Sequence, residues 1–439
     1  MNDTIAAIST PPGIGGIGIV RISGPKSLKI AKKIFRSKKP IENRKLIYGK
    51  IINKDEVIDE VLLSYHKAPY TYTREDIVEI NIHSGLSSLK ETLSLVISCG
   101  ARLAEPGEFT KRAYLSGRID LSQAEAVSKI VSAKTELARK IAVRELGGSL
   151  SLKIKEIREG LLSCLSYIEA GLDFEEELDK EGIYKDTILL KEKLDNLILG
   201  YRSGRYLSDC AIGVIVGKPN VGKSSILNAL LGTKRAIVTP IPGTTRDLVS
   251  EIINIKGIPL KIVDTAGLCF AIDIVEKEGI EMAWAAIETS DIVILVFDGS
   301  VSLTDDDLVI LEKIKKDNLI LCVNKCDLPL AIDISQIKNY PIVYISAKEG
   351  NISPLVSTIE ETLFSSFDEN NIITSIRHKE AIEKAIFHLE RAIHEIDKRD
   401  EIASIELRAS IDSLSGIIGE KITDEDILDK IFFTFCIGK

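Results

Sequence analysis

The stretch that decides the fold is Gly217-Lys-Pro-Asn-Val-Gly-Lys-Ser224, with Ser225 after it. It spells G-x-x-x-x-G-K-S between Ala211-Ile-Gly-Val-Ile-Val216, an apolar run of strand length, and Ile226-Leu-Asn-Ala-Leu-Leu231, which continues as a helix. A tight turn out of a buried strand aims successive backbone N–H groups and a helix N-terminus at phosphate. Asn220, Val221 and Gly222 form the turn. Lys223 is expected to reach the β- and γ-phosphates, and Ser224 to hold Mg²⁺ through its hydroxyl. A chance match in a glycine-containing turn would not bring both a strand and a helix with it.

Further stretches specify the base and the switch. Lys261-Ile-Val-Asp264 reads as a strand ending in a carboxylate that approaches Mg²⁺ through water. Thr265, Ala266 and Gly267 follow, and the Gly267 N–H is expected to sense the γ-phosphate. Leu319-Ile-Leu-Cys-Val323 is a buried strand delivering Asn324, Lys325, Cys326 and Asp327. A carboxylate there accepts from the N1–H and 2-amino group of guanine. Adenine offers neither, and a site built on such bonds rejects the base lacking them by ~10⁴ or more. Ser346, Ala347 and Lys348, after the strand Ile342–Ile345, add a backbone contact to the guanine oxygen. GTP is therefore the expected ligand. In Thr239-Pro240-Ile241-Pro242-Gly243-Thr244-Thr245-Arg-Asp247 we assign Thr245 to Mg²⁺, because a threonine in such a segment closes on the metal when the γ-phosphate is present. Leu268 stands where many GTPases keep a water-orienting glutamine, and leucine cannot orient water. Glu276 is the candidate in its place, with Glu278 and Glu281 as rivals. The plainer reading of all three is an exposed helix face.

Beyond this core, 439 residues are enough for two or three domains. The net charge of −8 argues against broad attraction to nucleic acid. Seven cysteines without a second close pair argue against a zinc site and for reduced thiols. Apolar runs such as Ile292–Phe297 are strand-sized, short of the ~20 residues of a membrane helix, and no secretory signal opens the chain. The expectation is a soluble cytoplasmic protein.

Residues 1–117 read as a compact α+β domain. Gly13, Gly15 and Gly18 spell G-x-G-x-x-G, but a strand, Ile17–Ile22, follows where a dinucleotide site needs a helix. The glycines are read instead as a connection between adjacent strands. A helix is expected over about 26–36, strands over 46–53, 57–66 and 77–82, and a helix over 86–98. Arg21 and Glu79 alternate out of apolar strands, and Arg118 lies in a turn. Singly, each reads as a solvated face or a salt bridge, and the sequence does not bring them together. The basic cluster Lys26–Lys39 has helical spacing and reads as a solvated face rather than an RNA site. From Leu121 the pattern turns helical, with Leu150, Ile154, Ile157, Leu161, Leu165, Ile168 and Leu172 on one stripe. It resumes at Ile382, Ile386, Leu389, Ile393 and Ile396. The organisation expected is residues 1–117; a helical domain, 118–209; an inserted P-loop α/β nucleotide domain, 210–370; and a second helical part, 371–439.

Together, Gly217–Ser224, Gly243-Thr-Thr-Arg-Asp247, Asp264–Gly267, Asn324–Asp327, Pro11-Pro-Gly…Arg-Ile-Ser-Gly24 and the terminal Phe435-Cys-Ile-Gly-Lys439 resemble the tRNA-modification GTPase family MnmE, also called TrmE. The resemblance covers essentially the whole chain. It implies a folate-binding N-terminal domain that dimerises, and a Ras-like GTPase domain inserted in a helical one. It also implies work with the flavoprotein MnmG (GidA) on the tRNA wobble uridine, adding a carboxymethylaminomethyl-type group at carbon 5. The one-carbon donor implied is 5-formyltetrahydrofolate or methylene-tetrahydrofolate. By position, Arg21, Glu79, Arg118 and Lys439 match the family's folate contacts. Asn220, Thr239, Ile241 and Thr244 match its potassium ligands, and Glu276 its water-activating glutamate. Contact with tRNA is expected largely through the complex. The chain departs from the family at Ile14 (usually Arg), at Arg74 and Ser84 (usually Gly), at Cys269-Phe270 (usually Arg-Glu) and at Arg118 (often Lys). Cys436 reads as a buried structural thiol or, beside a folate site, as a catalytic group; Lys439 is unsuited to end a prenylation box. A ribosome-assembly GTPase is the rival reading, though such proteins carry basic appendages that this acidic chain lacks.

Overall fold

The computed structural model describes residues 3–11, 13–174, 179–232, 250–264, 284–314, 316–335, 337, 339–364, 372–396, 398–420, 425–433, 435, 436 and 438. The chain falls into two compact units. One comprises Met1–Val131, Val143–Leu165 and Arg408–Lys439; the other comprises Ser132–Ala142 and Ser166–Leu407.

The first unit is built on seven strands: β1 (Ile5–Ile8), β2 (Gly18–Ser23), β3 (Phe35–Arg36), β4 (Leu46–Asn53), β5 (Glu56–His66), β6 (Ile77–Ile82) and β7 (Arg102–Leu103), in the order β3-β4-β5-β6-β2-β1-β7. Only β1 and β7 pair in parallel; the other pairings are antiparallel. β1 and β2 pair directly, Ile8 opposite Val20. The glycine-rich stretch between them is thus a strand-to-strand connection, as its sequence predicts. Alternation sorts the faces of the sheet. Val20, Ile22, Val78 and Ile80 point into a core covered by Ile30 and Ile34 of α1 (Ser27–Ile34) and Leu89 and Val96 of α2 (Leu86–Ser98). Arg21 and Glu79 fall on the opposite face. α1 is shorter than expected, because Phe35 and Arg36 leave the helix to pair with Ile51 and Lys50 at the sheet edge. Near the C-terminal end, Phe432 and Phe435 pack with Ala113, Leu121 and Ala124.

The second unit holds a six-stranded sheet: β8 (Ala211–Val216), β9 (Ser250–Ile255), β10 (Ile258–Asp264), β11 (Ile292–Asp298), β12 (Leu319–Asn324) and β13 (Ile342–Tyr344), in the order β13-β12-β11-β8-β10-β9. All but β9 run parallel. Parallel sheets are covered on both faces, and their strands read as unbroken apolar runs. Here Ile215, Leu260, Ile294 and Ile320 face Ile226 and Leu230 of a helix, Lys223–Gly232. Val214, Val293, Leu295 and Leu321 face Ile287, Ile310 and Ile314. The helices Lys180–Leu199 and Ile376–Glu395, which flank the sheet in sequence, pack against each other, joined by the Lys191–Glu390 ion pair at 3.1 Å. In the helix Ser149–Phe174, whose residues up to Leu165 belong to the first unit, Leu150, Ile154, Ile157, Leu161, Leu165 and Ile168 are buried as their spacing predicts, but Leu172 is 39% exposed. The stripe ends one turn early.

Candidate functional site: a nucleotide loop and an arginine-lined cavity

The glycine loop leaves the C-terminal end of β8, which lies between β10 and β11. In an open α/β sheet this end is where ligands bind. Gly217 (φ +147°), Asn220 (φ +64°) and Gly222 (φ +99°) take conformations rarely open to ordinary side chains. Alternating left- and right-handed residues turn backbone N–H groups inward as an anion nest. A side chain at Gly222 would place its Cβ 2.2 Å from Asn324 Nδ2, so the loop is closed to anything larger than glycine there. Lys223 Nζ donates to the carbonyls of Gly217 (2.9 Å) and Lys218 (2.8 Å), which holds its charge over the nest. These features fit a triphosphate.

The base side is built from the ends of β12 and β13. Asn324 is 2% exposed; its Nδ2 donates to the carbonyl of Val221 (2.9 Å), and its Oδ1 accepts from the N–H of Ala347 (3.0 Å). One amide thus ties the phosphate loop to both base-side loops, a structural role that sequence reading missed when it took Asn324 as a nucleotide contact alone. Lys325 sits in the left-handed region (φ +65°), and its ammonium pairs with Asp298 at 2.6 Å. Burial works to raise the Asp298 carboxyl, but the Lys325 and Ser300 hydrogen bonds prevail and hold it below the usual carboxylate range. Asp327 is held low chiefly by the Ser346 hydroxyl, which donates to its Oδ1 at 2.7 Å, and so presents an anionic acceptor. Cys326 lies in this loop, its Sγ 3.4 Å from the Val323 carbonyl. Burial raises the thiols of both Cys322 and Cys326, and the described residues contain no metal-binding cluster. Ser224 and Ser225 open the helix after the loop, and Lys348 follows Ala347. Thr239, Pro240, Ile241, Pro242, Gly243, Thr244, Thr245, Thr265, Ala266, Gly267 and Glu276 lie outside the described residues, as does the side chain of Asp264.

In the first unit, Arg21 and Glu79 are direct cross-strand neighbours in the β2–β6 register. Their ion pair, Arg21 Nε to Glu79 Oε1, spans 2.8 Å with about a quarter of each side chain exposed. Both line a cavity of 680 Å³ that also receives Arg118, His66, Tyr70, Tyr72 and Arg74. The Arg118 guanidinium lies 4.7 Å from the Tyr72 ring centroid, and the Tyr72 hydroxyl reaches Thr110 Oγ1 at 3.0 Å. Three residues that the sequence left scattered therefore share one cavity. Arg74, which sequence reading noted only as a departure from a family glycine, joins them.

Arg21 Nη1 also reaches the carbonyl of Gly438 at 3.4 Å. A side chain at Gly438 (φ +94°) would meet the Ile8 carbonyl at 2.4 Å, so a glycine is required for that approach. Cys436 is exposed, which sets aside the buried-thiol reading, and it is not among the residues lining the cavity. Lys439 lies outside the described residues.

Sheet order, phosphate nest and the Asn324–Asp327 loop define a P-loop GTPase. Family models match the GTP-binding protein TrmE N-terminus over residues 4–118 and the MnmE helical domain over residues 121–436. The tRNA modification GTPase MnmE of Clostridioides difficile (strain 630) is 47% identical over 461 residues, covering 100% of both chains. Those of Acetivibrio thermocellus and Aquifex aeolicus are 46% and 44% identical, covering 100% of this chain and 99% and 100% of theirs. The chain belongs to the MnmE family of tRNA modification GTPases.

Proposed function

We propose that this chain is a potassium-stimulated GTPase that works as a homodimer with the flavoprotein MnmG (GidA) to place a carboxymethylaminomethyl-type group on carbon 5 of the tRNA wobble uridine. The observation that carries this reading is the meeting of Arg21, Glu79 and Arg118 in one cavity, within a chain that also holds a GTPase loop. We assign that cavity to a tetrahydrofolate, 5-formyl or methylene, which supplies a one-carbon unit when bound. A cross-strand guanidinium–carboxylate pair offers donors and acceptors side by side, which suits a polar heterocycle edge. Lys439 and Cys436 are assigned to the same neighbourhood, Lys439 to folate and Cys436 to catalysis.

In the nucleotide unit, Lys223 and the loop N–H groups bind and orient the phosphates, while Asp327 reads guanine. Ser224 and Thr245 would hold magnesium. Asn220, Thr239, Ile241 and Thr244 would hold potassium, which supplies the positive charge that other GTPases take from an arginine. With leucine at position 268, Glu276 orients the attacking water. We assign residues 1–117 to folate binding and dimerisation, 210–370 to the GTPase, and 118–209 with 371–439 to the helical domain. No described helix is long and apolar enough to cross a membrane, and we place the protein in the cytoplasm.

The deciding test is nucleoside analysis of tRNA from a strain lacking this chain. Loss of the wobble modification, restored by the wild-type chain, is expected; unchanged tRNA overturns the reading. Separately, GTP turnover is expected to rise severalfold in potassium over sodium and to lose that rise in Asn220→Ala. Equal rates in both salts remove the potassium site.

A further inference from the structure

The cavity of the first unit carries more positive charge than its ion pair uses. Among the described residues its lining holds three guanidiniums, Arg21, Arg74 and Arg118, against the single carboxylate of Glu79. Arg21 is neutralised by Glu79 and mostly buried. Arg74 and Arg118 are both exposed, and neither meets a carboxylate among the described residues. They converge on the same turn: Arg74 Nη1 donates to the Ser116 carbonyl at 2.8 Å and lies 3.9 Å from where a Cβ at Gly117 would be, next to Arg118.

Two like charges on one turn repel, and the backbone adds to the cost. Arg74 is held at φ +60°, a left-handed conformation that glycine takes freely and other residues adopt at a penalty. A strained, like-charged pair at a cavity mouth is a configuration that an anionic ligand stabilises. Both side chains are also held for such work. Arg118 is stacked on Tyr72, which leaves the edge of its guanidinium free to donate, and the Ser116 bond leaves the other Arg74 N–H groups for a carboxylate fork.

We propose that Arg74 and Arg118 clamp the carboxylates of a ligand's anionic tail, so that the cavity takes a folate bearing several γ-linked glutamates in preference to one bearing a single glutamate. This rests on the folate reading of the cavity. The polar ring lies against Arg21 and Glu79, and the tail leaves across the 116–118 turn, where each added glutamate brings a carboxylate within reach of the two guanidiniums.

The test is calorimetric titration of the full chain with 5-formyltetrahydrofolate as monoglutamate and as triglutamate. Wild type is expected to bind the triglutamate about five- to tenfold more tightly at low salt, an advantage that shrinks at about 0.5 M salt. Arg74→Gly is expected to bind both forms alike, and Arg74→Lys to keep part of the preference. Arg74→Gly relieves the left-handed strain, so its ligand-free thermal midpoint should not fall; this separates lost recognition from lost folding. Equal binding of the two forms by wild type, or a preference untouched in Arg74→Gly, overturns the clamp while leaving the folate site standing. Failure of wild type to bind either form overturns the folate reading and the clamp with it.

Discussion

The two binding regions are made by opposite means. The nucleotide loop is a backbone device: its cradle consists of N–H groups held by three residues at positive φ, and its sequence is contiguous from Gly217 to Ser224. The cavity is a side-chain device, assembled from one position on β2, one on β6 and one in the turn before residue 120. A backbone cradle tolerates little change in shape, whereas a side-chain cavity tolerates shape changes and responds to charge. The nucleotide loop is the first kind of site, and Arg74 and Arg118 belong to the second.

Four substitutions test that contrast. The largest effect belongs to Asp327→Asn, which replaces the anionic guanine acceptor; GTP affinity should fall by about 10³-fold, with tetrahydrofolate binding unchanged. A fluorescent-nucleotide titration showing less than tenfold loss would remove Asp327 from base recognition. Next comes Gly222→Ala, whose methyl group would collide with Asn324. GTP affinity is expected to drop about 100-fold through strain alone, and unchanged binding would show that the loop can reshape after all. At the cavity, Glu79→Gln keeps the shape and removes the charge on Arg21's partner. Tetrahydrofolate affinity should weaken by about tenfold while GTP hydrolysis stays level; an equal loss in both would erase the distinction between the regions.

The smallest effect is a pH dependence of the first unit. Asp3 pairs with Arg102 and Arg112, each at 2.8 Å. Burial acts to raise its carboxyl, but those guanidiniums win and hold it below the ordinary 3.8. A depressed carboxylate stabilises the fold above its unfolded value and loses that contribution as pH falls through the lower folded one. Asp3 is half exposed and screened by solvent, so Asp3→Asn should flatten the acid limb of urea stability by under about 1 kcal/mol. An unaltered limb between pH 2 and 5 would mean the pair contributes nothing.

The same contrast explains what was legible. The nucleotide site reads directly from sequence because strand, loop and helix are adjacent, and the buried parallel strands announce themselves as runs such as Ile292–Phe297. β6 also matched its expected bounds, Ile77–Ile82, because it alternates from Val78 to Ile82. Arg21, Glu79 and Arg118 were each visible as polar residues in suspicious places, yet only the β2–β6 register joins the first two, and register is a long-range property. β3 was missed because Phe35 and Arg36 continue a helical pattern until the sheet edge claims them. Leu172 fitted the stripe by spacing, but the described residues leave it 39% exposed. Asn324's role as a tie had no local signal at all, since its partners, Val221 and Ala347, lie far from it in sequence.

That tie has a kinetic consequence. With the Asn324 amide fastened to the Val221 carbonyl on one side and the Ala347 N–H on the other, the grip on the phosphates and the grip on the base share a member. A departing nucleotide cannot free one end while the other stays fully engaged without straining the same two hydrogen bonds. Residence time, which is where related complexes differ most, is therefore set jointly by base and phosphates. A nucleotide with the wrong base should leave faster from both ends, and the loop acts as a clock as well as a cradle.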